Sequence, residues 1–360
     1  YGAQAAEDVI DSLELLAADA RVNGIVVPVD TDPAVQQAYG DWDLQYCYVN
    51  AANEAAESVR DLVQTYVNDP SNDIQYVVIA GTDPVIPFFR VEDRVAISNE
   101  SDYLVGAETD GNNPLYYSLE GGFWTDTVDD GNGGTVDVVT HYGFISTDDF
   151  YTDDNPIGFN GHELFVPDRA SGRLVETPAQ IMATITNYLN DGSVDVNSSL
   201  VTSYDFLDDS GQKINSALGS LGVSSRNTLF GEDLNWNASQ LNSAWPGAST
   251  PPDLVSVNAH FEHWLALPAD NDPLNLFYNQ DILDGNVSNQ IVYSMGCHAG
   301  LNVFDEFVAG AADPASTPDL PQTMAEMGAA AWVANTGYGY GMDDAATHSE
   351  QLYLNLTQQL

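Results

Sequence analysis

Basic charge is nearly missing from this chain. Lys213 is its single lysine, and seven arginines bring the cations to eight against 54 acids, a formal net charge of −46 over 360 residues. A surface so poor in Lys and Arg excludes nucleic acid as a partner, because phosphate binding needs basic patches. Cysteine is scarce as well. Two residues, Cys47 and Cys297, exclude a small disulfide scaffold. No run approaches the roughly 18 apolar residues that a membrane span needs. Neither a methionine nor a signal-peptide pattern stands at Tyr1, so the chain reads as a mature piece or an excised domain of a longer precursor.

Apolar residues are plentiful. A hydrophobic content of 44% supports a sizeable core and argues against global disorder. An Asp-rich, Lys-poor surface repels itself at low salt and is screened in brine. It is expected of a salt-adapted extracellular protein; an acidic lineage bias without functional meaning is the plainer reading. The same field would draw basic peptides toward a cleft. Five glycosylation sequons (Asn99, Asn197, Asn237, Asn286, Asn355) are what chance supplies in an Asn- and Ser-rich chain. Cys47, within Leu44-Gln45-Tyr46-Cys47-Tyr48, reads as an ordinary half-buried residue.

Periodicity sets the fold class. Helical spacing over 3–20 leads into a short apolar run at 24–28, then a helix over about 50–68 and a buried-type strand at 75–81. From 163 onward the pattern predicts strands at 163–166, 199–206, 227–230, 253–259, 290–295 and 329–335. Helices are predicted at 177–190, 211–221, 238–244, 320–328 and from about 344. Such alternation argues an α/β fold with a mainly parallel sheet flanked by helices. A composition change near 190–197 divides a smaller N-terminal α/β subdomain, 1–195, from a larger one, 196–360.

Residues 106–162 break the pattern. Rich in Gly, Asn, Asp and aromatics, they read as a long insertion with a hairpin near 136–144. Asp126, Asp129, Asp130 and Asn132 gather around Gly131 and Gly133. Oxygen-rich loops of this kind hold calcium, and a structural calcium is the sharper expectation here. The spacing is not that of an EF-hand, and a solvated loop is the plainer one.

Two segments share one design. Asp253-Leu254-Val255-Ser256-Val257-Asn258-Ala259-His260 and Gln290-Ile291-Val292-Tyr293-Ser294-Met295-Gly296-Cys297 are both apolar strands that run into small residues and end on a reactive side chain. Ligands bind at the carboxyl ends of strands in open parallel sheets, so neighbouring strands would bring His260 and Cys297 to one rim. A thiolate attacks, and a nearby imidazole supplies it. Gly296 would let a carbonyl approach, and the Cys297 N–H would hold the oxyanion. The plainer reading has Cys297 as a small buried hydrophobe and His260 as a satisfied strand-end histidine. His263 competes as the base, His298 reads as structural, and a zinc site of His260, His263 and Cys297 lacks paired-Cys or HExxH support.

The surroundings of both residues resemble the gingipain family of cysteine peptidases, within the caspase-like group. Tyr293-Ser294-Met295-Gly296-Cys297-His298 is similar to the family's strand that ends in a small residue and Cys. Val257-Asn258-Ala259-His260 is similar to its strand ending in His-Gly, with Phe261 where the family has Gly. Asp73–Pro87, Ser101-Asp102-Tyr103 and Asp168–Leu174 look like further family elements. The resemblance implies a caspase-like fold in 196–360. It implies a secreted cysteine endopeptidase acting on protein or peptide substrates, with no cofactor in its chemistry. Cys297 would be nucleophile and His260 base and acid. Asp205 would orient the histidine, and Cys297, Phe261 and Gly296 would form the oxyanion hole. It further implies cleavage after Arg or Lys, with Asp208 and Asp209 at the pocket and Tyr338 and Tyr340 along its wall. A transpeptidase or sortase on the same scaffold and a non-enzymatic binding module are the competing expectations.

Overall fold

The computed structural model describes residues 2–360 except 46–47, 96, 108–119, 130–134, 160, 233–234, 306–316 and 344. For 104–107, 120–129, 135–142 and 191 it describes the backbone alone. The described residues form two compact units. One comprises 1–26, 174–302 and 315–360; the other comprises 27–173 and 303–314.

Helix α1 (Ala3–Ala18) opens the first unit. The second unit follows with α2 (Pro33–Leu44), α3 (Val49–Val67), β1 (Tyr76–Ala80), β2 (Phe89–Glu92), α4 (Glu100–Ala107), β3 (Glu120–Asp129) and β4 (Thr135–Thr147). It closes with β5 (Ile157–Phe159), β6 (His162–Leu164) and β7 (Ala170–Leu174). Its core gathers Val35, Ala56, Val59, Ile79, Ile86, Phe150 and Tyr151. Residues 136–144, expected as a hairpin, lie within the single strand β4, which pairs antiparallel with β3 and with β2. Residues 24–28, expected as a strand, form none. The Gly24 N–H bonds Ala17 O and closes α1, and Pro28 lacks a donor.

The first unit resumes with α5 (Pro178–Asp191), β8 (Ser198–Thr202), α6 (Asp208–Ser220), β9 (Ser225–Leu229), α7 (Ala238–Ala244) and β10 (Leu254–Ser256). A small antiparallel sheet follows: β11 (His260–Glu262), β12 (Leu265–Leu267) and β13 (Phe277–Tyr278). Then come α8 (Asn279–Leu283), β14 (Ile291–Ser294), α9 (Leu320–Glu326), β15 (Ala331–Ala334) and α10 (His348–Gln359). The compact unit thus begins again at 174, not near 196 where composition changes. The reason is packing: α5 lies against both α1 and α9.

Five strands make a parallel sheet in the order β15-β14-β10-β8-β9. The mixed α/β fold with a helix-flanked parallel sheet is therefore as the alternation predicts. Its central strands read as continuous apolar runs because both faces are covered. Leu200, Val201, Leu254, Val255, Val292 and Tyr293 are fully buried, with Ile214 and Leu218 of α6 among them. After β8 the chain moves outward to β9, then returns to the other side of β8 as β10. This reversal is a switch point, where loops leaving the carboxyl ends of adjacent strands diverge and open a crevice. Tyr204 follows β8 there, and His260 follows β10.

Candidate active site

The strand register carries His260 and Cys297 toward one rim. Leu254 pairs with Ile291, and the same spacing of 37 residues separates His260 from Cys297. The two chains stay together past the formal strands. The Val257 N–H donates to Tyr293 O at 2.9 Å, and the Met295 N–H donates to Asn258 Oδ1 at 3.2 Å. One step further, a side chain added at Gly296 would lie 2.2 Å from the Phe261 ring and 3.1 Å from Ala259 O. Gly296 is therefore required by close packing against the His260 strand. The space beside it, expected for a substrate carbonyl, is filled by Phe261, which is buried.

Asn258 is the residue that sequence reasoning overlooked. It is fully buried, and its amide nitrogen donates to Thr202 O and Ser256 Oγ, both at 2.9 Å. Its own N–H donates to Thr202 Oγ1 at 2.8 Å. With the bond from Met295 it ties the carboxyl ends of β8, β10 and β14, two residues before His260. The sequence signal was an amide interrupting an apolar run, which a buried site tolerates only with its hydrogen bonds filled.

His260 opens β11, a strand of the small antiparallel sheet, and does not end the long strand expected over 253–259. β10 stops at Ser256, and the chain turns into a hairpin that pairs His260 with Leu267, Phe261 with Ala266 and Glu262 with Leu265. With a two-residue turn, the pair beside the turn exchanges both hydrogen bonds and the next pair exchanges none. The Phe261 N–H therefore points away from β12, an orientation suited to an oxyanion donor.

The His260 ring is exposed at one side and lies against Tyr204, edge to face with centroids 4.6 Å apart, and Phe206, tilted at 5.8 Å. Partial burial lowers its pKa from the ordinary 6.5, which favours the neutral base. Among the described residues its nitrogens form no hydrogen bond or ion pair. Asp205 does not orient it. That carboxylate is exposed and accepts the N–H of the next residue, Phe206, at 2.8 Å. The residues on either side of Asp205 supply the contacts to the imidazole.

His263 is excluded as the base by burial. Desolvation, then the neighbouring His298, pushes its pKa down to about 3. His298 is fully buried too, with its N–H on Gly337 O at 2.9 Å and its ring 4.6 Å from Tyr338.

Cys297 is a half-buried thiol. Its Sγ lies 3.7 Å from Gly339 O, a weak contact from the loop after β15. That loop is held against the segment leading to Cys297. Asn335 Nδ2 donates to Met295 O, and the Gly300 N–H donates to Asn335 O. A side chain at Gly339 would meet Met295 O at 2.1 Å. Tyr338 and Tyr340, both half-buried, flank Gly339, so the expected wall loop is beside Cys297.

The expected pocket acids are occupied differently. Asp208 is buried, and its oxygens accept from Ser203 Oγ, the Gly231 N–H at 3.0 Å and the Glu232 N–H at 2.8 Å. These bonds fasten the 204–207 turn to the loop after β9, leaving Asp208 no role at a pocket floor. Asp209 pairs with Lys213 at 2.7 Å on α6 and lines a shallow groove between α6 and α10. Asp130 lies outside the described residues, as do the side chains of Asp126 and Asp129. Among the described residues no three His, Cys, Asp or Glu side chains gather as a metal site, and no helix is long and apolar enough to cross a membrane.

No family model matches this chain, and no curated protein matches it. Among solved structures, that of gingipain R, an Arg-specific cysteine proteinase, is similar over 79% of this chain and 54% of its own. Identity is 13% and the TM-score is 0.47. The chain spans about half the length of that protein.

Proposed function

We propose that the chain is a secreted cysteine endopeptidase of caspase-like fold, with Cys297 as nucleophile and His260 as base and acid. The observation that carries this reading is the β10–β14 register, continued by the Gly296 contact on Phe261 and Ala259, which keeps the segments leading to His260 and Cys297 side by side. The resemblance of the Ser294-Met295-Gly296-Cys297 segment supports it independently.

In the proposed reaction Cys297 Sγ attacks the scissile carbonyl, and its proton passes to His260. The N–H groups of Cys297 and Phe261 hold the oxyanion. His260 then gives the proton to the leaving amine as the C–N bond breaks. Water, deprotonated by His260, attacks the thioester and releases the acid. A basic P1 residue is the proposed preference, because a chain of net charge −46 attracts Arg and Lys and Tyr338 and Tyr340 flank the cleft.

An acyloxymethyl ketone carrying Arg tests the reading. We expect covalent labelling of the wild type, complete loss in Cys297→Ala and strong slowing in His260→Ala. Labelling that survives in Cys297→Ala, or no labelling with any P1 residue in high salt, would refute it and favour a binding module. If an added amine captured most of the acyl group, the enzyme would be a transpeptidase.

A further inference from the structure

Resting on the peptidase reading, we propose that Tyr204 and Phe206 are the positioning residues of His260. They hold its imidazole by ring contacts, where a histidine of this role ordinarily leans on a carboxylate or a carbonyl.

The geometry is a bracket built on one turn, the residues just after β8. Tyr204 meets the imidazole at 65° between planes, and Phe206 meets it at 36°. These contacts on the two sides of Asp205 fix the ring's tilt while committing neither nitrogen. Tyr204 is buried, and its hydroxyl sits 2.6 Å from the carbonyl oxygens of Leu267 and Pro268. Leu267 is the residue paired with His260 across the hairpin. One side chain therefore fixes both the imidazole and the strand opposite it.

The bracket is anchored from behind. Trp236 Nε1 donates to Ser203 O at 2.9 Å, and the Ser203 N–H donates to Leu229 O at 3.0 Å. Asp208 holds Ser203 Oγ and the loop at Gly231 and Glu232. Gly231 is itself needed, since a side chain there would lie 2.4 Å from Asp205 N. The turn that presents the two rings is thus locked at both ends.

The chemical consequence follows from what the rings do not do. They cover part of the imidazole and fix its plane, yet accept no proton from it. Nδ1 and Nε2 stay available for the thiol and for the leaving amine or water. Misplacement by about 1 Å costs on the order of 100-fold in rate in such sites, so the bracket should govern kcat more than KM.

Phe206→Leu and Phe206→Tyr, with Tyr204→Phe, test this. In Phe206→Leu we expect kcat lower by about 10- to 100-fold with KM within about twofold, and recovery in Phe206→Tyr. Tyr204→Phe, which keeps the ring and loses its anchor, should fall between. Proton NMR of the His260 ring, assigned through His260→Gln, supplies a readout independent of turnover. Its signals should be ring-current shifted in the wild type and move toward the free-histidine position in Phe206→Leu.

Unchanged kcat in a folded Phe206→Leu, or a loss confined to KM, would overturn the positioning role. Unshifted His260 signals in the wild type would overturn the bracket itself. A wild type that neither labels at Cys297 nor cleaves any peptide would sink the peptidase reading, and the positioning role with it, while the NMR still reports whether the rings hold the histidine.

Discussion

The two compact units handle buried polarity by different means. In 27–173 two buried arginines make ionic ties. Arg90 is buried against Asp83 at 2.7 Å, and Arg173 binds Asp148 at 2.6 Å while bonding the carbonyls of Gly81 and Ile86. Five of the seven arginines lie in that stretch. In the other unit the ends of β8, β10 and β14 are tied by neutral groups: Asn258, Thr202 and Ser256. A charge at that position would act directly on His260 and on a thiolate at Cys297. A neutral amide joins the same strands without biasing either protonation state. A chain with 54 acids thus sets most of its few arginines within 27–173 and joins the ends of β8, β10 and β14 with neutral groups.

The contrast breaks most visibly if an ionic tie is cut. Arg90→Met leaves Asp83 buried and unpaired, and should cost about 3–5 kcal/mol of the stability of 27–173. Urea unfolding measures it; the labelling rate of Cys297 in native buffer should stay unchanged. A slowed rate would mean that the ionic and reactive regions are not separate.

Asn258→Ala comes next. It orphans the Met295 N–H and Thr202 O, for an expected loss of about 2–3 kcal/mol. Unlike Arg90→Met, it should slow Cys297 labelling while the variant remains folded. Full reactivity in a destabilised Asn258→Ala would reduce the amide to a packing element.

His263 sharpens the contrast through pH. Its folded pKa of about 3 lies below the ordinary 6.5 of the unfolded chain. The native state refuses a proton that the unfolded state accepts. Stability from this group is complete above pH 6.5 and is lost as pH falls toward 3. Between pH 7 and pH 5 the loss is about 2 kcal/mol, and His263→Gln should flatten that part of the wild-type curve. Parallel curves for the two proteins would refute the assignment.

The smallest effect belongs to the single lysine. Lys213→Ala removes an exposed i,i+4 pair with Asp209 and should change stability by a few tenths of a kcal/mol at most. A larger change would give the α6–α10 groove a structural weight that its exposure does not suggest.

Local pattern determined much of this protein. Helices 178–191, 238–244 and 320–326 and all five strands of the parallel sheet follow from apolar periodicity and turn residues, most directly the central β8, β10 and β14, where burial on both faces leaves a trace in composition. The two candidate positions, His260 and Cys297, were picked out for the same reason: in the sequence each follows an apolar run. The small sheet of β11–β13 was not legible, since its strands are two or three residues long and its register comes from packing. Nor was the state of the acids. Asp205, Asp208 and Asp209 look alike in sequence, yet one is exposed and accepts its neighbour's N–H, one is buried among three donors and one pairs with Lys213. The roles of Asn258, Tyr204 and Phe206 were equally hidden. Hydrogen bonds and ring contacts between residues 37 to 64 positions apart depend on which strands become neighbours, and that was decided only when the sheet took its order, with β10 and β9 on opposite sides of β8.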